Sequence, residues 1–190
     1  SGLQQMGFSD INREALIAGL NSAIAKKEVG KDPREIQMFL NGFMQEVAMK
    51  KATENAEKGK KFLEENAKKS GVDTLANGIQ YKIIKKGEGA KPAATDMVKV
   101  HYRGTLIDGT EFDSSIKRGD PVAFPLHRVS PGWTAALQPM PVGSKWEIFI
   151  PSDQAYGPRG NGSIGPNETL IFEVELLDIV TPDAKEADQK

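Results

Sequence analysis

The chain has 190 residues, 38% of them hydrophobic, which suits one or two domains with a real core. With 25 basic against 26 acidic residues its net charge is −1, so its charge balance points to neither a nucleic acid nor an anionic membrane as partner. It contains no cysteine, which excludes disulfides, thiol nucleophiles and thiolate metal sites, and no apolar run long enough to span a bilayer. It starts Ser1-Gly2 rather than with methionine, so a processed or shortened form is expected, compatible with a removed signal sequence.

The first 70 or so residues read as helix. Leu16, Leu20 and Ile24, spaced by four, predict a helix from about Asp10 or Asn12 to Lys27, stopped near Gly30. Asp32-Pro33-Arg34-Glu35 then combines an N-cap, a proline at the first helical position and an acid at the third. Ile36, Phe39, Leu40, Phe43, Met44 and Val47 follow as one apolar stripe. Beyond Lys50 the pattern thins to Ala52, Ala56, Phe62, Leu63 and Ala67 among many charges. One helix from Pro33 to about Lys69 is predicted, roughly 55 Å long at 1.5 Å per residue. The stripe must be covered, either by the rest of the chain or by a second copy. The polar second half reads as a solvated rod holding the stripe away from the C-terminal domain, which favours the second copy.

The character changes near residue 75. Ile79 to Lys85, Met97 to Arg103, Lys145 to Ile150 and Thr169 to Ile179 read as strands by alternation or β-branched content. Asp108-Gly109 is a hairpin signal. Ser130 and Pro131 open a short helix through Leu137. One short helix against a curved antiparallel sheet is an α+β layout. The expected division is a helical part over 1–76, a β-rich domain over 77–180 and a polar tail over 181–190.

Conventional catalytic motifs are missing. The sequence has no G-x-S-x-G elbow, and Gly160 to Gly165 match G-x-G-x-x-G without the strand and helix a dinucleotide site needs, so that stretch reads as a loop. Of two histidines, His101 falls on the outward side of its strand and reads as a surface residue, and no metal-ligand spacing occurs. What remains is an apolar, aromatic set at inward β positions: Tyr102, Phe112, Phe124, Val129, Trp133, Tyr156, Ile164 and Phe172. Among them Asp113 places a carboxylate where the pattern points into an apolar site. Polar atoms there need partners or a task.

VHYRGTLIDGTEFDSS, VSPGW, AYGPRG and IGPNETLIFEVELLDI, in that order, resemble FKBP-type peptidyl-prolyl cis-trans isomerases across about residues 77 to 180. The helical part followed by FLEENAKKSGVDTLANGIQYKII resembles the macrophage infectivity potentiator group of bacterial members. The resemblance implies an FKBP-like curved antiparallel sheet wrapped on a short helix, preceded by an all-α N-terminal dimerisation domain with a long connecting helix. It implies an enzyme that rotates X–Pro bonds with no metal, cofactor or covalent step. Trp133 would be the cavity floor, and Phe112, Phe124, Val129, Ile164 and Phe172 its walls. Tyr156 and the Ser130 amide would hold the substrate, with Asp113 and Tyr102 beside the twisting amide. Implied partners are a second copy, through Ile36, Phe39, Leu40, Phe43, Met44 and Val47, proline-containing polypeptides, and macrolides such as rapamycin. Ser130 and Val122 depart from residues common in the family and reduce the contacts expected for macrolides. The implied location is the bacterial periplasm or outer membrane, with the cytoplasm as the alternative. A chaperone-like role of the dimer is expected beside catalysis; the rival readings are a proline-binding module without turnover and a purely structural dimer.

Overall fold

The computed structural model describes residues 33–180, so the predicted helix near 10–27 and the polar tail lie outside the described residues. The described residues fall into two units that divide between 45 and 46. A 34-residue helix, Pro33–Asn66, is the first described element. It starts at the predicted proline and ends three residues short of the predicted end. The side chains of Ile36, Phe39, Leu40 and Phe43 lie outside what is described. Met38 and Met44 are exposed, at 68% and 55%.

The second half of this helix is not the solvated rod that its charges suggest. It packs against the sheet through Asn55, Gly59, Phe62, Leu63 and Asn66, a face spaced i, i+4, i+7, i+8, i+11. Asn55 Nδ2 donates to the Pro166 carbonyl at 2.8 Å and to Glu168 at 3.0 Å. Asn66 Nδ2 donates to Gln80 Oε1 at 3.0 Å, and Gln80 Nε2 donates to the Leu63 carbonyl at 2.8 Å. The Phe62 ring meets that of Phe149 at a tilt of 51°, centroids 5.9 Å apart. Only Phe62 and Leu63 of this face are large and apolar, so a hydrophobic pattern shows it weakly, yet each amide is satisfied by a fixed partner.

The sheet has seven antiparallel strands: β1 (Val72–Thr74), β2 (Gln80–Lys85), β3 (Met97–Leu106), β4 (Glu111–Ser114), β5 (Val122–Pro125), β6 (Lys145–Ile150) and β7 (Leu170–Val180). Their order is β1-β2-β6-β7-β3-β4, with β5 on β3. The four longer strands match the predicted runs; β1 and β5 have no counterpart among them, and β4 is the edge that follows the Asp108-Gly109 hairpin. Gly109 takes φ 85°, and Asp108 Oδ1 accepts from the Thr110 amide at 2.8 Å.

Alternation puts Trp146, Ile148 and Ile150 of β6 and Leu170, Phe172, Val174 and Leu176 of β7 on one face with Val98 and Val100 of β3. The short helix Pro131–Leu137 packs Ala136 and Leu137 into that face. Gly132 makes this possible, because a Cβ there would sit 2.5 Å from Ile150 Cγ2 and 2.7 Å from the Gln154 carbonyl. Ser130 stands at the N-cap, as its sequence position implies, but its side chain makes no capping bond. His101 is also not a plain surface residue. It is half-buried, with Nδ1 3.1 Å from Oγ of the fully buried Ser115. Beside the one short helix expected against the sheet stands a one-turn helix, Ser115–Arg118.

Candidate active site

One cavity of about 530 Å³ opens at the end of the sheet where the Pro131–Leu137 helix begins. Its lining brings together all ten residues singled out from sequence. Tyr102 comes from β3, Phe112 and Asp113 from β4, Phe124 from β5 and Phe172 from β7. Val129, Ser130 and Trp133 come from the start of the short helix, and Tyr156 and Ile164 from the loops between β6 and β7. Val122, Arg128, Asn161, Gly162 and Ser163 complete the wall.

The aromatic rings meet edge to face. Trp133 lies 4.9 Å from Phe172, 5.4 Å from Tyr102 and 5.4 Å from Phe124, at interplanar angles of 77°, 87° and 74°. Phe112 meets Phe172 at 5.5 Å and 85°. Such pairs add about 0.5–1.5 kcal/mol each beyond burial and hold the rings rigid. Gly104 sets their spacing. It pairs with Phe172 across the sheet, and a Cβ on it would lie 2.6 Å from the Phe112 ring and 2.8 Å from the Phe172 ring.

Asp113 is held by a partner that sequence reasoning missed. Tyr102 Oη donates to Asp113 Oδ2, Arg118 Nη1 donates to Asp113 Oδ1, and Arg118 Nη2 donates to Tyr102 Oη at 3.1 Å. Ser114-Ser115-Ile116-Lys117-Arg118-Gly119 carried a readable signal. Ser114 Oγ accepts from the Lys117 amide at 3.2 Å, and Gly119 closes the turn at φ 84°. One capped helical turn brings Arg118 back over Asp113.

This pairing sets the protonation states. Burial pulls the Asp113 carboxyl upward, but the hydrogen bonds from Tyr102 and Arg118 outweigh it and hold the group below the usual carboxylate range. Burial and then the bond to Asp113 raise the Tyr102 phenol. Asp113 is therefore a carboxylate with both oxygens engaged, poorly placed to take a proton. Tyr102 spends its proton on Asp113. Two donors on lining residues are uncommitted among the described residues: the Ser130 amide has no backbone acceptor, and the Tyr156 hydroxyl, on a residue 41% exposed, has no partner. No cluster of metal-ligating side chains occurs among the described residues. What the site offers is an aromatic floor of interlocked rings with a few fixed polar groups.

Two family models match the chain. Residues 88–177 match the FKBP-type peptidyl-prolyl cis-trans isomerase domain, and residues 2–83 match the domain amino terminal to it. The chain is 48% identical to the FKBP-type 22 kDa peptidyl-prolyl cis-trans isomerase of Escherichia coli, covering 94% of this chain and 88% of that protein. It is 46% identical to the outer membrane protein MIP of Legionella longbeachae, over 90% of this chain and 76% of that one. The crystal structure of FkpA from Escherichia coli superposes with a TM-score of 0.75 at 40% identity, covering 93% of this chain and 85% of that chain.

Proposed function

The chain belongs to the FKBP-type peptidyl-prolyl cis-trans isomerases and is an enzyme of that family, and we propose that it turns X–Pro bonds in the cavity above Trp133. The observation that carries this reading is the rigid aromatic floor beside two uncommitted donors.

The uncatalysed rotation faces about 18–20 kcal/mol, set by amide resonance. As the bond twists, resonance is lost and the carbonyl oxygen gives up negative charge. Water hydrogen bonds favour the planar, polar ground state over the twisted one. A dry cavity removes that preference, so the twisted form gains relative to the planar one. Trp133 would carry the proline ring, with Phe112, Phe124, Val129, Ile164 and Phe172 around it. The Tyr156 hydroxyl and Ser130 amide would hold carbonyls on either side. Asp113, fixed by Tyr102 and Arg118, would act through orientation and local field. Each hundredfold in rate needs about 2.7 kcal/mol of preferential stabilisation, which shape and desolvation can supply.

Two-dimensional NMR exchange on a Leu-Pro or Phe-Pro peptide tests this. The intact chain should speed exchange, and Asp113→Ala and Tyr156→Phe should each lose roughly two- to a hundred-and-fiftyfold while staying folded, since one charged or neutral hydrogen bond is worth about 0.5–3 kcal/mol. Binding without acceleration would leave a proline-recognition module with Asp113 as a structural acid. Rates should be flat from about pH 5 to 9, because Asp113 stays ionised above its depressed pKa and Tyr102 stays protonated below its raised one. A step inside that window would overturn the protonation states given to Asp113 and Tyr102. By the same linkage, Asp113 pairing stabilises the fold above the ordinary carboxylate value of about 3.9 and is lost as pH falls through the lower folded value.

For the N-terminal part we propose a homodimer in which a second copy covers Ile36, Phe39, Leu40, Phe43, Met44 and Val47. The exposure of Met44 supports it, as does the match to the family's amino-terminal domain. Two linked cavities would then hold an unfolded chain with added avidity, a chaperone-like role beside catalysis. Removing residues 1–45 should give a monomer by light scattering that still isomerises small peptides; a dimer would move the contact elsewhere. The similarity to a protein named for the outer membrane supports a place in the bacterial envelope, with the cytoplasm as the alternative. No helix among the described residues is long and apolar enough to cross a membrane.

A further inference from the structure

Two side chains of full charge line the cavity, Asp113 and Arg128. Asp113 is compensated, with both oxygens taken by Tyr102 and Arg118. Arg128 is exposed at the end of the turn Leu126–Arg128, two residues before Ser130, and has no acidic partner among the described residues. The cavity therefore presents one uncompensated positive charge beside the Ser130 amide. The whole chain carries only −1, so no strong global field overrides this local one.

We propose that Arg128 is a specificity-determining residue that makes the enzyme prefer proline segments carrying a carboxylate next to the X–Pro bond and disfavour those carrying a lysine there. The proposal rests on the reading of the cavity as the isomerisation site. A guanidinium presents a planar fork of donors that matches a carboxylate, and it stays charged at every working pH. Because Arg128 sits at an exposed rim, its attraction is modest and screened by salt.

The test uses the full chain and two peptide series, with Glu, Gln or Lys placed before the proline in one and after it in the other. kcat/KM is measured by NMR exchange for the intact protein, Arg128→Gln and Arg128→Glu. Lys91→Gln, which removes an exposed charge that is not part of the cavity lining, is the control. At low salt the intact protein should favour Glu over Lys by about three- to tenfold in at least one series. Arg128→Gln should lose that factor, Arg128→Glu should invert it, and Lys91→Gln should keep it. Salt of about 0.5 M should shrink it, since the screening length is then only a few ångströms. An equal Glu to Lys ratio in the intact protein and Arg128→Gln, or an equal shift with Lys91→Gln, overturns the assignment. The Gln peptides keep the two failures apart. Their acceleration without any charge dependence sinks only Arg128, whereas no acceleration of any peptide sinks the reading of the cavity.

Discussion

Gly104→Ala is expected to slow peptide isomerisation by roughly ten- to a hundredfold while the chain still folds. A methyl group at this position has no room. Its carbon would lie 2.6 Å and 2.7 Å from Phe112 ring atoms and 2.8 Å from a Phe172 ring atom, well inside van der Waals contact. Backbone pairing fixes Gly104 opposite Phe172 on one side and Asp113 on the other, so the strand cannot step back. The rings must move instead. Phe172 touches Trp133, so the displacement reaches the proposed floor. Overpacking of this kind costs about 1–3 kcal/mol of stability, visible as a lower denaturation midpoint. An unchanged exchange rate in a destabilised but folded variant would mean that ring placement does not set the rate.

Gly59→Ala should destabilise the protein even though alanine is the better helix former by about 1 kcal/mol. The added carbon would meet Thr169 Oγ1 at 2.2 Å and its Cβ at 3.3 Å. Thr169 is 3% exposed and branched at Cβ, so it has little freedom to turn aside. The helix must lift, which strains the Asn55 and Gln80 bonds and uncovers Phe149, otherwise 4% exposed. A net loss of about 1–3 kcal/mol is expected, with faster amide exchange in residues 50–66 and β6. A gain in stability would show that the helix does not hold this close approach in solution.

Much of the β domain was legible because β3, β6 and β7 are long enough to display a period of two. β5 is not: Val122–Pro125 is four residues with a proline, and no pattern shows in so short a run. The docked face of the long helix was hidden for a different reason. Asn55, Gly59 and Asn66 bind through specific hydrogen bonds and close contact, and the partners of the first two, Pro166 and Thr169, lie far along the chain. The ten cavity residues came from inward positions and motif resemblance, and the fold gathers them at one opening. Arg118 escaped because nothing in its residue type points at Asp113 until one helical turn is closed between two caps. His101 was hidden because alternation alone cannot show that Ser115 folds over the outward side of β3.

The sheet order also bears on how the chain is made. β7 lies between β6 and β3 and pairs with both along most of its 11 residues, yet it is the last of the described strands in sequence. While the chain emerges from the ribosome, β3 and β6 wait with facing edges open, and the helix face carrying Phe62 waits for Phe149. No smaller set of strands closes the core, so the domain must fold late and nearly all at once, through contacts of long sequence separation. A nascent chain stopped before Leu170 has no partial enzyme to offer. It presents two unsatisfied strand edges, the form most in need of protection from aggregation.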